Sequence, residues 1–135
     1  MIDKERVISL IAALQDYLSE LEQKTGTTIK EYLSDRDKQR ITERLLQLIS
    51  EVELDIAEEL YKGLELKLSS EEDSMLEALS QTLSKDTLSK LSIRRNLRNQ
   101  LVHAYESYKK EEAFRQAKDL SDVRTFISAV KKVLK

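Results

Sequence analysis

No proline interrupts any of the 135 positions, and Gly26 and Gly63 are the only glycines. Those two residue types disfavour helix most strongly, so long stretches of this chain are free to run as helix. The apolar residues use that freedom. Val7, Leu10, Ile11, Leu14, Leu18 and Leu21 recur at steps of three and four, which puts them on one helical face. A helix over residues 3–24 follows. The expected class is all-α, a single-domain antiparallel bundle of about five helices spanning residues 1–135.

The punctuation between helices is polar. Thr25-Gly26-Thr27-Thr28 joins a permissive backbone to capping side chains, so the chain should turn there. A second stripe, Ile41, Leu45, Leu48, Val52, Ile56 and Leu60, marks a long helix ending near Gly63. Ser34-Asp35-Arg36-Asp37 before it reads either as a break or as a polar helical turn. Ser69-Ser70-Glu71-Glu72 has the spacing of a capping box, with a short helix expected to about Leu83. Ser84-Lys85-Asp86 is the next start signal, leading through Leu88, Leu91, Leu97 and Leu101. Ala113, Ala117, Leu120, Ile127, Val130 and Leu134 then predict one unbroken terminal helix from near Lys110. The acidic stretch Glu51 to Glu59 reads as a solvated helix face.

Composition excludes several chemistries. With no cysteine and one histidine, the chain offers no disulfide, no thiolate nucleophile and no Cys- or His-rich metal site. No cofactor or metal is expected. No apolar run reaches the roughly 18–20 residues that span a bilayer, and the charged N-terminus lacks a signal peptide's apolar segment. A cytoplasmic protein is expected. A net charge of −2 does not advertise nucleic-acid binding, so any such role must come from a local patch.

Such a patch surrounds the lone histidine. From Thr87 to Tyr105 the chain carries Lys90, Arg94, Arg95 and Arg98 and no acid after Thr87. Arginine offers a planar fork matched to phosphate oxygens. On a helical wheel Leu97, Leu101, Ala104 and Tyr108 form the buried face, while Asn99 and His103, four apart, stack on the opposite side. Setting Arg98 at zero puts His103 at about 140°. The pattern is also that of a plain solvated face, and spacing alone does not separate the two readings.

The string Arg98-Asn99-Gln100-Leu101-Val102-His103-Ala104-Tyr105 resembles the signature of the HEPN superfamily, in its HepT toxin branch: an Arg with a polar neighbour, a His four to six positions on, and a Tyr two beyond. Residues 37–61 are similar to that family's long helix, and the helix order fits across nearly the whole chain. The chain differs at Asn96-Leu97, where the family often has Gly-Phe, and at Ala104, where an acid is common.

The resemblance implies a metal-independent endoribonuclease toxin of a toxin–antitoxin system, acting as a homodimer on RNA. Arg98 and His103 would be catalytic with Asn99 assisting, and Lys90, Arg94 and Arg95 would widen the phosphate track. It also implies a minimal nucleotidyltransferase antitoxin as partner and Tyr105 as the acceptor of transferred AMP. A dimer is chemically sensible, because attack by a ribose 2′-OH needs both a base and an acid. A two-fold axis supplies a second His103. Val102 is then a candidate interface contact. The alternative is a non-catalytic helical protein that binds nucleotide or docks a nucleotidyltransferase through the same face.

Overall fold

The computed structural model describes residues 1–26, 28–64, 72–103 and 109–135. Among them are eight helices and no strand: α1 Lys4–Lys24, α2 Ile29–Ser34, α3 Arg36–Gly63, α4 Glu72–Ala78, α5 Ser80–Leu83, α6 Lys85–His103, α7 Lys110–Lys118 and α8 Ser121–Leu134. The all-α expectation holds, but about five helices become eight because the run Ser34 to Asp37 is a break rather than a polar turn and two predicted helices are interrupted.

Each interruption has a local cause. At Asp35 the backbone is extended (φ −122°, ψ 101°) and the carboxylate accepts from the Lys38 amide at 3.1 Å. That cap starts α3 and leaves α2 as a separate short helix. At Asp119 the backbone is again extended, and the carboxylate accepts from the Ser121 amide (3.2 Å) and hydroxyl (2.7 Å). The expected single terminal helix is therefore two, since an Asp oxygen competes with the helix for backbone donors. Leu79 separates α4 from α5 in the third case. Of the expected capping box Ser69-Ser70-Glu71-Glu72, the first three residues lie outside the described residues and Glu72 is the first residue of α4.

α3 is the central element. It packs along α1 and also touches α2, α4, α6 and α7, while α6 packs on α3, α5 and α8. One apolar cluster joins Val7, Leu14 and Leu21 of α1, Ile49, Ile56 and Leu60 of α3, Leu91 of α6, and Val123, Phe126 and Val130 of α8. Burying each such side chain stabilises the fold by about 1.5–3 kcal/mol.

The predicted α3 stripe is buried at Leu45, Ile56 and Leu60 but not at its other three positions. Ile41 is exposed and Leu48 and Val52 are half-buried, whereas Thr42, Leu45, Leu46, Ile49, Glu53, Ile56 and Ala57 face the core. Two helix faces, toward α1 and toward α6, have to be buried at once, and polar residues occupy part of the second. Gly63, at the C-terminal end of α3, lies against the chain's first residues. A Cβ there would sit 2.6 Å from Ile2 Cα, so a bare backbone is required for this approach.

Candidate functional site

α6 runs antiparallel to α3, and its arginines meet α3 in sequence. Arg94 reaches Glu53, Arg98 reaches Glu51, and Leu101 and Val102 face Arg40, Glu43, Arg44 and Gln47. This register decides the fate of every cation in the predicted patch.

Arg94 turns inward. Its Nε donates to Glu53 Oε1 at 2.6 Å, its Nη2 to Glu53 Oε2, and its Nη1 to Asp122 of α8. Glu53 is fully buried and Arg94 only 5% exposed. This corrects two expectations: Arg94 does not belong to a surface phosphate track, and Glu51 to Glu59 is not simply a solvated face. Burial pushes the Glu53 carboxyl above its ordinary range, opposed by the charge and hydrogen bonds of Arg94. A buried carboxylate needs such a partner. The triad ties α3, α6 and α8 at one point.

The other patch residues diverge. Lys90 is exposed and lies within electrostatic reach of Asp119, whose carboxyl is held low by its Ser121 hydrogen bonds and then by Lys90 and Arg115. Arg95 is half-buried and is not free. Four cations close in sequence are thus not one surface.

Arg98 is the exception. Its guanidinium is partly exposed and donates to Glu51 Oε1 from Nη2 (3.1 Å) and to Asn99 Oδ1 from Nη1 (3.1 Å). Gln47, one turn earlier on α3, donates to the same Glu51 oxygen at 3.2 Å. Gln47, Glu51 and Asn99 therefore hold the fork in one place while leaving it reachable. Asn99, expected to assist the catalytic pair, accepts from Arg98 through its amide oxygen. Sequence reasoning missed Glu51 altogether, because only the crossing of α3 and α6 pairs residues 47 positions apart.

His103 is exposed at the last position of α6, directly after half-buried Val102. Tyr105, Ala104 and Tyr108 lie outside the described residues. Between α3 and α6 runs a groove of about 400 Å³ lined by Arg40, Glu43, Arg44, Gln47, Leu101 and Val102. The Arg98 network stands one turn from Gln47 and Leu101, at one end of this groove. A reachable guanidinium, an exposed imidazole on the same helix and an adjoining open groove can bind a phosphodiester and move protons beside it.

Known proteins resemble this chain in both sequence and shape. A family model described as ribonuclease HepT-like matches residues 14–130. The tRNA nuclease HepT of Aphanizomenon flos-aquae (strain 2012/KM1/D3) is 31% identical over 112 residues, covering 82% of this chain and 74% of that protein. Among solved structures, a toxin–antitoxin crystallised with AMP-PNP superposes with a TM-score of 0.84 at 21% identity, over 96% of this chain and 99% of that one. A cytosolic protein of unknown function from Bacillus subtilis, YutE, gives a TM-score of 0.82 at 15% identity, over 98% of this chain and 91% of its own. At those identities the structures speak to the fold alone.

Proposed function

Since the chain belongs to the HepT-like ribonuclease family, we propose that it is a metal-independent endoribonuclease toxin whose site is built on Arg98 and His103. One observation carries this reading. The Arg98 guanidinium is held by Glu51 and Asn99 but left reachable, on the helix that ends in an exposed His103.

In the proposed reaction a ribose 2′-OH attacks the adjacent phosphorus. One imidazole takes the hydroxyl proton, and a protonated imidazole gives one to the departing 5′-oxygen. The products are a 2′,3′-cyclic phosphate and a 5′-hydroxyl. Arg98 binds the non-bridging oxygens and stabilises the charge that gathers on them in the transition state. Glu51 fixes the guanidinium, so that less is lost in orienting it.

A homodimer provides the second imidazole, with the two Arg98–His103 pairs facing each other and half-buried Val102 at the contact. The partner is a minimal nucleotidyltransferase antitoxin acting on Tyr105. An added nucleotide brings bulk and negative charge to a groove suited to phosphate. Lys90 and Arg95 stay as peripheral phosphate contacts, and Arg94 is dropped from that set. The tRNA named in the relative's description makes tRNA the first substrate to test.

Purified protein incubated with tRNA in EDTA should release fragments ending in 2′,3′-cyclic phosphate, and intact RNA would overturn the reading. The non-catalytic alternative is separated by expression in bacteria. Growth arrest that disappears with His103→Ala supports the nuclease, and arrest that persists supports a docking protein.

A further inference from the structure

The chain has nine arginines, and most are in ion pairs: Arg6 with Glu59, Arg94 with Glu53 and Asp122, Arg98 with Glu51, Arg115 with Glu112, and Arg124 with Glu22. Arg95 is also engaged. Arg36, Arg40 and Arg44 differ. All three are exposed, and none forms an ion pair with the described residues.

They are also four residues apart, so they stand in one row along α3, about 12 Å from first to last. Like charges at that spacing destabilise a helix by roughly 0.2–0.5 kcal/mol per pair. Arg36 is moreover the first residue of α3, where the helix dipole disfavours a cation. Such a row is locally unfavourable unless something negative covers it. Asp35 and Asp37 flank Arg36 at the start of the row, but further along it Glu43 is the one carboxylate in the groove. Glu43 is partly buried, and its carboxyl is pushed up by that burial against the pull of Lys110, Arg36 and Arg40. Three cations act on that one carboxylate, and Arg44 stands beside it in the groove.

The row continues into the groove. Arg40 and Arg44 line it beside Gln47 and Val102, and one turn further Glu51 holds Arg98. We propose that Arg36, Arg40 and Arg44 form a binding track for single-stranded RNA that leads the substrate along α3 to Arg98. The track takes successive phosphates, and the apolar wall at Leu101 and Val102 meets a base or ribose. It takes the place of Arg94, which is buried, with Lys90 and Arg95 of α6 left peripheral. The inference rests on the ribonuclease reading, since without an RNA substrate the row has a different occupant.

The test uses the full chain and a labelled single-stranded RNA whose ribose 2′-hydroxyls are methylated, so that it binds but cannot be cut. Anisotropy is read as a function of salt. Each phosphate contact on a single strand contributes about 0.7 to the slope of log K against log salt. Arg40→Gln/Arg44→Gln should therefore lower the slope by about 1.4 and the affinity at low salt by on the order of tenfold. Arg40→Lys/Arg44→Lys should keep most of the slope, and Glu43→Gln should tighten binding. Both arginines are exposed, so folding is checked directly by circular dichroism, with Arg115→Gln/Arg124→Gln as a charge-matched control.

An unchanged slope in the double variant, with Arg98→Gln still weakening binding, overturns the track and leaves the ribonuclease reading standing. An unchanged slope with an altered oligomeric state also overturns it and assigns the row to a protein interface. Failure of the reading itself shows separately, as unmodified RNA left uncut by the native chain.

Discussion

Replacing Arg94 with alanine strips a fully buried carboxylate of its counter-ion, since Glu53 is 0% exposed and Arg94 supplies both of its charged donors. Breaking a buried pair in this way costs about 3–5 kcal/mol, against a total of roughly 5–15 kcal/mol for an ordinary domain. With a urea dependence of about 2 kcal/mol per molar, the unfolding midpoint should fall by about 2 M. The deficit also depends on pH. Burial raises the Glu53 carboxyl in the folded state, so its protonated form is favoured by folding. The cost is absent below the unfolded carboxyl's range and grows as pH rises through the raised folded value. Arg94→Ala should therefore be closest to the native chain near pH 4–5 and furthest from it near pH 8. Glu53→Leu/Arg94→Met, which removes both charges, should recover most of the loss, and Asp122 at 31% exposed can return to water. The recovered variant should also bind RNA with the native salt slope. A midpoint shift below about 0.5 M for Arg94→Ala, or a reduced slope in the recovered variant, would refute a structural role for Arg94.

Other substitutions probe separate parts of the account. Gly63→Ala forces a methyl to within 2.6 Å of Ile2 Cα and should destabilise by about 1–3 kcal/mol in a thermal melt; an unchanged melt would deny the close approach. Asp35→Ala removes the cap that starts α3 and should cost about 1 kcal/mol, with Asp35→Asn or Asp35→Ser restoring most of it. Glu51→Gln frees the Arg98 fork and should lower kcat by on the order of tenfold to a hundredfold while KM changes little; a pure KM effect would make Glu51 a substrate contact instead. Co-expression with a cognate nucleotidyltransferase should add AMP mass to Tyr105, and a peptide map without that adduct would remove Tyr105 as acceptor.

Periodicity made the helices legible, because burial of an apolar face is a local pattern. α1 matches its expected range closely. The break at Asp35 was one of two readings the polar run 34–40 left open, but the one at Asp119 was hidden, since the apolar spacing continues across it and only a side-chain oxygen diverts the backbone. The stripe from Ile41 held at Leu45, Ile56 and Leu60 and missed the rest because α3 buries two faces, one of them holding Glu53 and Thr42. At the site, the exposed setting of His103 followed from the helical wheel alone. The separation of Arg94 from Arg98 did not. Both are arginines of one helix, one turn apart, and only the register of α6 on α3 sends one into the core and leaves the other at the groove. Glu51 was invisible for the same reason.

The proposed chemistry is metal-independent cleavage of RNA by Arg98 and His103. Its most direct measurement is the single-turnover cleavage rate of tRNA in EDTA for the native chain, Arg98→Ala and His103→Ala. Loss of a catalytic acid–base group costs on the order of 10²–10⁴-fold, and loss of a charge-stabilising donor on the order of 10²–10³-fold. Both variants should therefore fall by at least about a hundredfold, with folding intact by circular dichroism. Native rates in both variants would contradict the account.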